Sequence, residues 1–391
     1  MLVCFGFALA ACTTADVGEP TTAPIEDTSP GRIVVLDSGG DIVTLDPDGS
    51  DRVAITDDGD SVTYFQPVWS PDSPTLAWSV ADEAGFAVMT ASDDGSDRNR
   101  VDVSGFPFYI NWSTDGEQIG ILHAGTGGTF DLELVDLQAS SATQLDSGSP
   151  YYFSWSPESD AVVVHVGGDR LEIFDESATP TDIGPTSPRF FAPRWLPSGI
   201  FYLGLDGVTL RNNDGTSMVF PAPPSGQVSI NPNPQGSLVA VHSLGGSGGM
   251  TVGRLPLAVD EPNTVSIIEI ESGTSEVVST ILSLGSFWSP DGARLLLLEV
   301  NADERAVDVV VWEAGDTRLV TTIEIPGSLI TEALAFFDQY AQSWRMWSPG
   351  SDAIVLPGTI EEGEGIWVIP VDGSDPVNIS DGDWAAWSYG T

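Results

Sequence analysis

The sequence predicts an all-β fold, a β-propeller of about eight four-stranded blades whose ring is closed by pairing of the N- and C-terminal strands. Three observations predict it. A Trp-centred turn recurs along most of the 391 residues, and a short apolar strand follows nearly every copy. One end of the chain has three strands with no such turn before them, while the other ends on a turn with no blade after it.

The copies are Trp69-Ser-Pro-Asp72, Trp112-Ser-Thr-Asp-Gly116, Trp155-Ser-Pro-Glu158, Trp195-Leu-Pro-Ser-Gly199, Trp288-Ser-Pro-Asp-Gly292, Trp347-Ser-Pro-Gly350 and Trp387-Ser388. A degenerate copy, Pro232-Asn-Pro-Gln-Gly236, keeps the turn without the Trp. Spacings run 43, 43, 40, 37, 56, 59 and 40 residues, and most match one four-stranded blade. Trp ends a strand and offers a flat face to the adjoining blade. Pro fixes φ at the first corner, Asp or Ser bonds the local backbone, and Gly accepts a positive φ. The runs that follow, such as Thr75-Leu-Ala-Trp-Ser-Val80, Ala161-Val-Val-Val-His-Val166 and Ala353-Ile-Val-Leu356, have the length and composition of buried strands. Next comes a strand ending in an acidic hairpin turn, as in Asp41-Ile-Val-Thr-Leu-Asp-Pro-Asp-Gly49. Eight anchors give eight first strands, or seven blades if the Pro232 copy is not one. Residues 31–56 supply three strands that the C-terminal segment Trp384-Ala-Ala-Trp-Ser388 completes, leaving no open edge.

By this Trp-Ser-Pro-Asp-Gly signature the chain resembles the TolB-like, WD40-like bacterial β-propeller repeat family, from about Gly31 to the C-terminus. The resemblance implies the fold and a place in an envelope complex. It carries over no binding residue, because those lie in variable loops.

Upstream, Met1–Cys12 is an uncharged apolar run suited to a signal-peptide core. Leu9-Ala10-Ala11-Cys12 resembles the lipobox of bacterial lipoproteins, which implies lipidation at Cys12, although no Lys or Arg precedes the run. Residues 13–30, rich in Thr, Pro and acid, read as a flexible tether, and 31–391 as a single propeller domain.

Acidic residues number 57 against 13 basic ones, all Arg, for a net charge of −44. Nucleic acid is excluded as a partner, since no basic stripe is present to neutralise phosphates. The acid is spread along the chain, the pattern of a solvated surface or of a saline medium rather than of a site. His123, His165 and His242 each follow an apolar strand, too far apart to pair as ligands, and read as strand histidines. Turns such as Asp46-Pro-Asp-Gly-Ser-Asp51 lack the closing Glu of a calcium loop. No metal or cofactor is expected.

Two long spacings mark insertions, near 245–262 and 328–347. The first matches Gly-x-Ser-x-Gly at Gly245–Gly249 by chance, because no helix follows and no His comes later. The second has helical spacing of Leu334, Phe337, Tyr340, Ala341 and Trp344, with Ser328 or Thr331 as cap. Its apolar face packs over one end of the ring as a lid, or else Phe336, Phe337, Tyr340 and Trp344 form a docking surface for a partner.

The function expected is an exported, lipid-anchored, non-catalytic propeller that binds or scaffolds a protein partner of the cell envelope and meets the membrane through its lipid alone. The alternatives are a carbohydrate- or peptide-binding propeller, and a hydrolase or lyase using channel carboxylates.

Overall fold

The computed structural model describes residues 31–175, 177–223, 226–245 and 263–389. The signal, Cys12 and tether readings, and most of the first insertion with its Gly-x-Ser-x-Gly match, lie outside the described residues.

Eight antiparallel sheets form the ring, so the Pro232 copy does head a blade. Blade 1 joins both chain ends: Ile33–Leu36 pairs with Ile42–Leu45 on one side and Trp384–Trp387 on the other, in the register Ile33 to Trp387. Blades 2 to 7 each take four consecutive strands, beginning at Thr63, Pro107, Tyr151, Arg194, Gln227 and Ser283. Blade 8 has strands Ala353–Ile360, Gly363–Pro370 and Val377–Ser380, and its first strand is reduced to a bridge between Trp347 and Ile354.

First strands line the axis and most are buried, as in Tyr151–Trp155, although Arg194–Leu196 is half-buried, whereas the fourth strand Pro180–Asp182 is exposed. The second strand Ala161–Val166 is buried at every position. It lies between two neighbouring blades, which explains a continuous apolar run where a half-solvated strand would alternate.

The repeat residues hold blade to blade. Trp112, Trp155, Trp288 and Trp347 donate their indole N–H to the carbonyls of Val68, Asn111, Asn231 and Phe287 at 3.5, 3.1, 2.7 and 2.8 Å. Each acceptor immediately precedes the anchor residue of the blade before. Trp69 does the same across the closure, to Ala386 at 3.1 Å. Asn231 precedes Pro232, so the degenerate copy keeps the acceptor though it lost the donor. Within the turn, Ser Oγ accepts the N–H five residues on and donates to a nearby Asp, as Ser289 does with Arg294 at 2.9 Å and Asp291 at 2.5 Å. Asn233 stands in for that Ser, its Oδ1 accepting from Ser237 and Leu238.

The second insertion is neither one helix nor a lid. It forms a short helix Gly327–Glu332, a 3-10 turn Leu334–Phe336 and a second short helix Phe337–Tyr340. Neither Ser328 nor Thr331 caps it: Pro326 holds the N-cap position without a side-chain bond, and Thr331 Oγ1 donates to the Gly327 carbonyl. The segment enters the axis and fills it as a plug. Gln66 of blade 2 donates to Ser343 Oγ, and the Tyr109 hydroxyl of blade 3 to the Gln339 carbonyl. Ala192, which leads into blade 5, donates its N–H to Asp338 Oδ2. Phe337 meets His242 of blade 6 and Phe287 of blade 7, and Trp344 donates to Ala385 of blade 1 at 2.8 Å. Gln339 pairs its amide with both backbone groups of Phe153 in blade 4, at 3.0 and 2.9 Å. The first short helix keeps a solvent face at Ser328, Thr331 and Glu332, whereas Phe337–Tyr340, Ser343 and Trp344 are buried among the strands, so the helix breaks where the segment enters the ring and sends side chains outward on every side.

Candidate functional site

Because the chain runs antiparallel within each blade, the Trp-Ser-Pro turns gather at one mouth of the axis. There a cavity of about 180 Å³ is lined by Pro232, Trp288, Pro290 and Trp347 from the turns, with Trp344 and Gln342 of the plug as its floor. Arg194, Arg345 and Tyr389 also line it. The lining includes no Asp, Glu or His. Tyr389 also borders a second cavity of about 240 Å³, with Arg32, Pro71, Asp72 and Asp93 in its wall.

The two cavities treat their cations differently. Arg32 is matched, its Nη1 lying 3.0 Å from Asp46 and 2.8 Å from Asp51. Arg194 stands on the first strand of blade 5, just before Trp195, half-buried and with Nη1 sealed from solvent and without a hydrogen-bond partner. Burial pulls its guanidinium down to about 10, against weaker opposing attraction from Tyr109, Tyr389 and Asp338. Arg345 lays its guanidinium over the Tyr389 ring, 3.6 Å from the centroid, and its Nε is buried without a partner. Among the described residues no carboxylate is within ion-pair distance of either, while Arg32, Arg52, Arg100, Arg170 and Arg294 all have one.

The buried carboxylate nearest in chemistry to an acid catalyst is Asp338. Burial pushes it up to about 6, but its oxygens already accept the N–H of Ala192 at 3.0 Å and of Gln339 at 3.1 Å, inside the plug. The three histidines lie on second strands of blades 3, 4 and 6. His123 faces buried Glu133 at 3.4 Å, His165 bonds the Phe191 carbonyl at 2.7 Å, and His242 bonds Ser286 Oγ at 2.7 Å. Glu133 raises the affinity of His123 for its proton, whereas burial lowers that of His165 and takes His242 down to about 3. Among the described residues no three His, Cys, Asp or Glu side chains group to hold a metal ion. The acidic turns are hairpins: Asp48 Oδ1 accepts the Ser50 N–H at 2.9 Å and its hydroxyl at 2.6 Å.

Of the aromatics singled out from sequence, Phe337, Tyr340 and Trp344 are buried among the first strands and Phe336 is half-buried. The anchors Trp69, Trp112, Trp155, Trp288, Trp347 and Trp387 are buried between blades, and Trp195 is half-buried. Arg194 and Arg345 went unnoticed in the sequence. Their one signal is scarcity, two cations flanking copies of the repeat in a chain with few.

No protein-family model and no curated protein matches the chain. Among solved structures it is similar to the dihydro-heme d1 dehydrogenase NirN in complex with DHE, at 12% identity and TM-score 0.54 over 93% of this chain and 76% of that one. An oligogalacturonate lyase in complex with manganese is similar at 14% identity and TM-score 0.53, over 88% and 98%. TolB from Acinetobacter baumannii matches at 14% identity and TM-score 0.42 over 73% of this chain, which spans only 61% of that protein. At such identities the likeness shows the fold alone, and the fold is a β-propeller.

Proposed function

We propose that this chain is an exported, lipid-anchored and non-catalytic propeller that binds a protein partner of the cell envelope at its turn-bearing mouth. The observation that carries the reading is the plug. It closes the axis, so the mouth cavity is a shallow dead end walled by rigid proline and tryptophan turns, suited to receiving a projecting group. A hydrolase or lyase working through paired carboxylates would need an acid and a base converging on one pocket, and the lining of this cavity has no Asp, Glu or His. Among the described residues no helix is long and apolar enough to cross a membrane. A photo-cross-linking residue at Pro290, on the mouth, tests the reading in intact envelopes against one at Thr317, on the outer edge of blade 7. A discrete adduct from Pro290 alone is expected. Equal or absent cross-linking at the mouth overturns the site, and release of a labelled acyl group from Cys12 on mass analysis checks the anchor.

A further inference from the structure

We propose that the mouth cavity is a carboxylate-binding site in which Arg194 and Arg345 together receive one carboxylate of the ligand. This deepens the reading of the mouth as a binding surface and rests on it.

In a chain of net charge −44 a surface cation has many carboxylates to meet, and five arginines pair with one. Arg98, Arg189, Arg211 and Arg318 bond backbone carbonyls instead. Apart from Arg305, exposed in a hairpin turn, the arginines left among the described residues without a side-chain hydrogen bond or ion pair are Arg194 and Arg345, and both line this one cavity. Two cations without a carboxylate thus share the wall of one cavity, where a ligand can supply what the protein does not. Each also keeps a buried N–H without a hydrogen-bond partner, so neither guanidinium has its donors taken up by the protein. Asp338 does not supply that acceptor, since its oxygens are held by Ala192 and Gln339.

Carboxylate fits better than other anions for two reasons. A planar guanidinium matches a carboxylate edge to edge with two parallel bonds. The cavity, about 180 Å³, takes such a group with a few carbons, and Trp288, Trp344 and Trp347 give those carbons apolar contact. A highly charged polyanion would be turned away by the acidic body, whereas a single carboxylate meets a local reversal of sign. The source is either a small organic acid or the carboxylate of a peptide.

The test titrates the full chain with acetate, succinate, a short peptide with a free C-terminal carboxylate and the same peptide amidated, following tryptophan fluorescence and heat of binding. Saturable binding of an acid or of the free peptide, and none of the amide, is expected. Arg345→Gln weakens it at least about tenfold, Arg345→Lys weakens it less, and Arg305→Gln leaves it unchanged. Small acids binding as tightly as the peptide identify a free acid as ligand, and a tighter free peptide identifies a chain carboxylate. Equal binding of free and amidated peptide, no binding of any acid or free peptide, or indifference to Arg345→Gln overturns the proposal. Where the free peptide binds tighter than the small acids, mouth cross-links that persist in Arg345→Gln would do the same while leaving the partner-binding reading intact. Acid binding without cross-links would remove the partner and keep the site.

Discussion

At Ser159 and Ser351 the repeat puts serine at a φ of 64° and 60°, where Gly116, Gly236 and Gly292 stand in other copies. The strain has a return: Ser159 Oγ accepts the Asp115 N–H at 2.9 Å and Ser351 Oγ the Asp291 N–H at 3.3 Å, each from the turn of the preceding blade. Asp338 is a second residue whose chemistry outruns its neighbours. The folded chain holds its proton up to about pH 6, whereas the ordinary value is 3.8. Between these values the native state binds the extra proton, so this group's contribution to stability is complete below 3.8 and is lost as pH rises through 6. Asp338→Asn removes that loss. The variant gains on the wild type by about 2–3 kcal/mol across the interval and holds a constant lead above it, as urea melts at a series of pH values will show. His242, titrating in both proteins, cancels from the difference.

Among the elements, the plug is the one that sequence patterning misplaced. Its spacing of apolar residues suggested one amphipathic helix with a single face to bury. The polar residues between them were the better signal, for Asp338, Gln339 and Ser343 are buried as well. They answer a need that only a closed ring creates: first strands have unpaired edges on the axis, and those edges require donors and acceptors. Gln66 meets the need for blade 3, pairing with both backbone groups of Ile110 at 2.9 and 3.2 Å, and Gln339 does so for blade 4. Gln339→Met keeps the shape and orphans the N–H of Phe153 while leaving its carbonyl only the Gln342 amide at 3.1 Å, so it lowers stability by about 2–4 kcal/mol in chemical denaturation. By contrast, the blades were legible, because the Trp turn is a local signal and repeats. Even blade 6 could be read once Asn233 is seen to do the work of the missing serine. The mouth arginines could not, since their lack of a carboxylate is a property of space and not of sequence.

Over the whole molecule, the ring is held by its own chain ends and by a plug that touches seven blades and leads into the eighth. Outer strands and hairpin turns carry the acid into solvent, where like charges repel. Tm therefore rises by several degrees between dilute buffer and about 1 M NaCl, since screening acts on the net charge more than on the few exposed ion pairs. A fall in Tm would mean that the pairs around Arg32 and Arg170 outweigh the repulsion. Binding at the mouth depends on the axis being closed, and thiol labelling of single cysteines reads this directly. In a background with Cys4 and Cys12 replaced by serine, Ala341→Cys borders the mouth cavity and Ala333→Cys lies deep in the plug, only 1% exposed. A filled axis predicts rapid labelling at 341 and, at 333, labelling no faster than unfolding of the ring. Equal rapid labelling at both positions would contradict it.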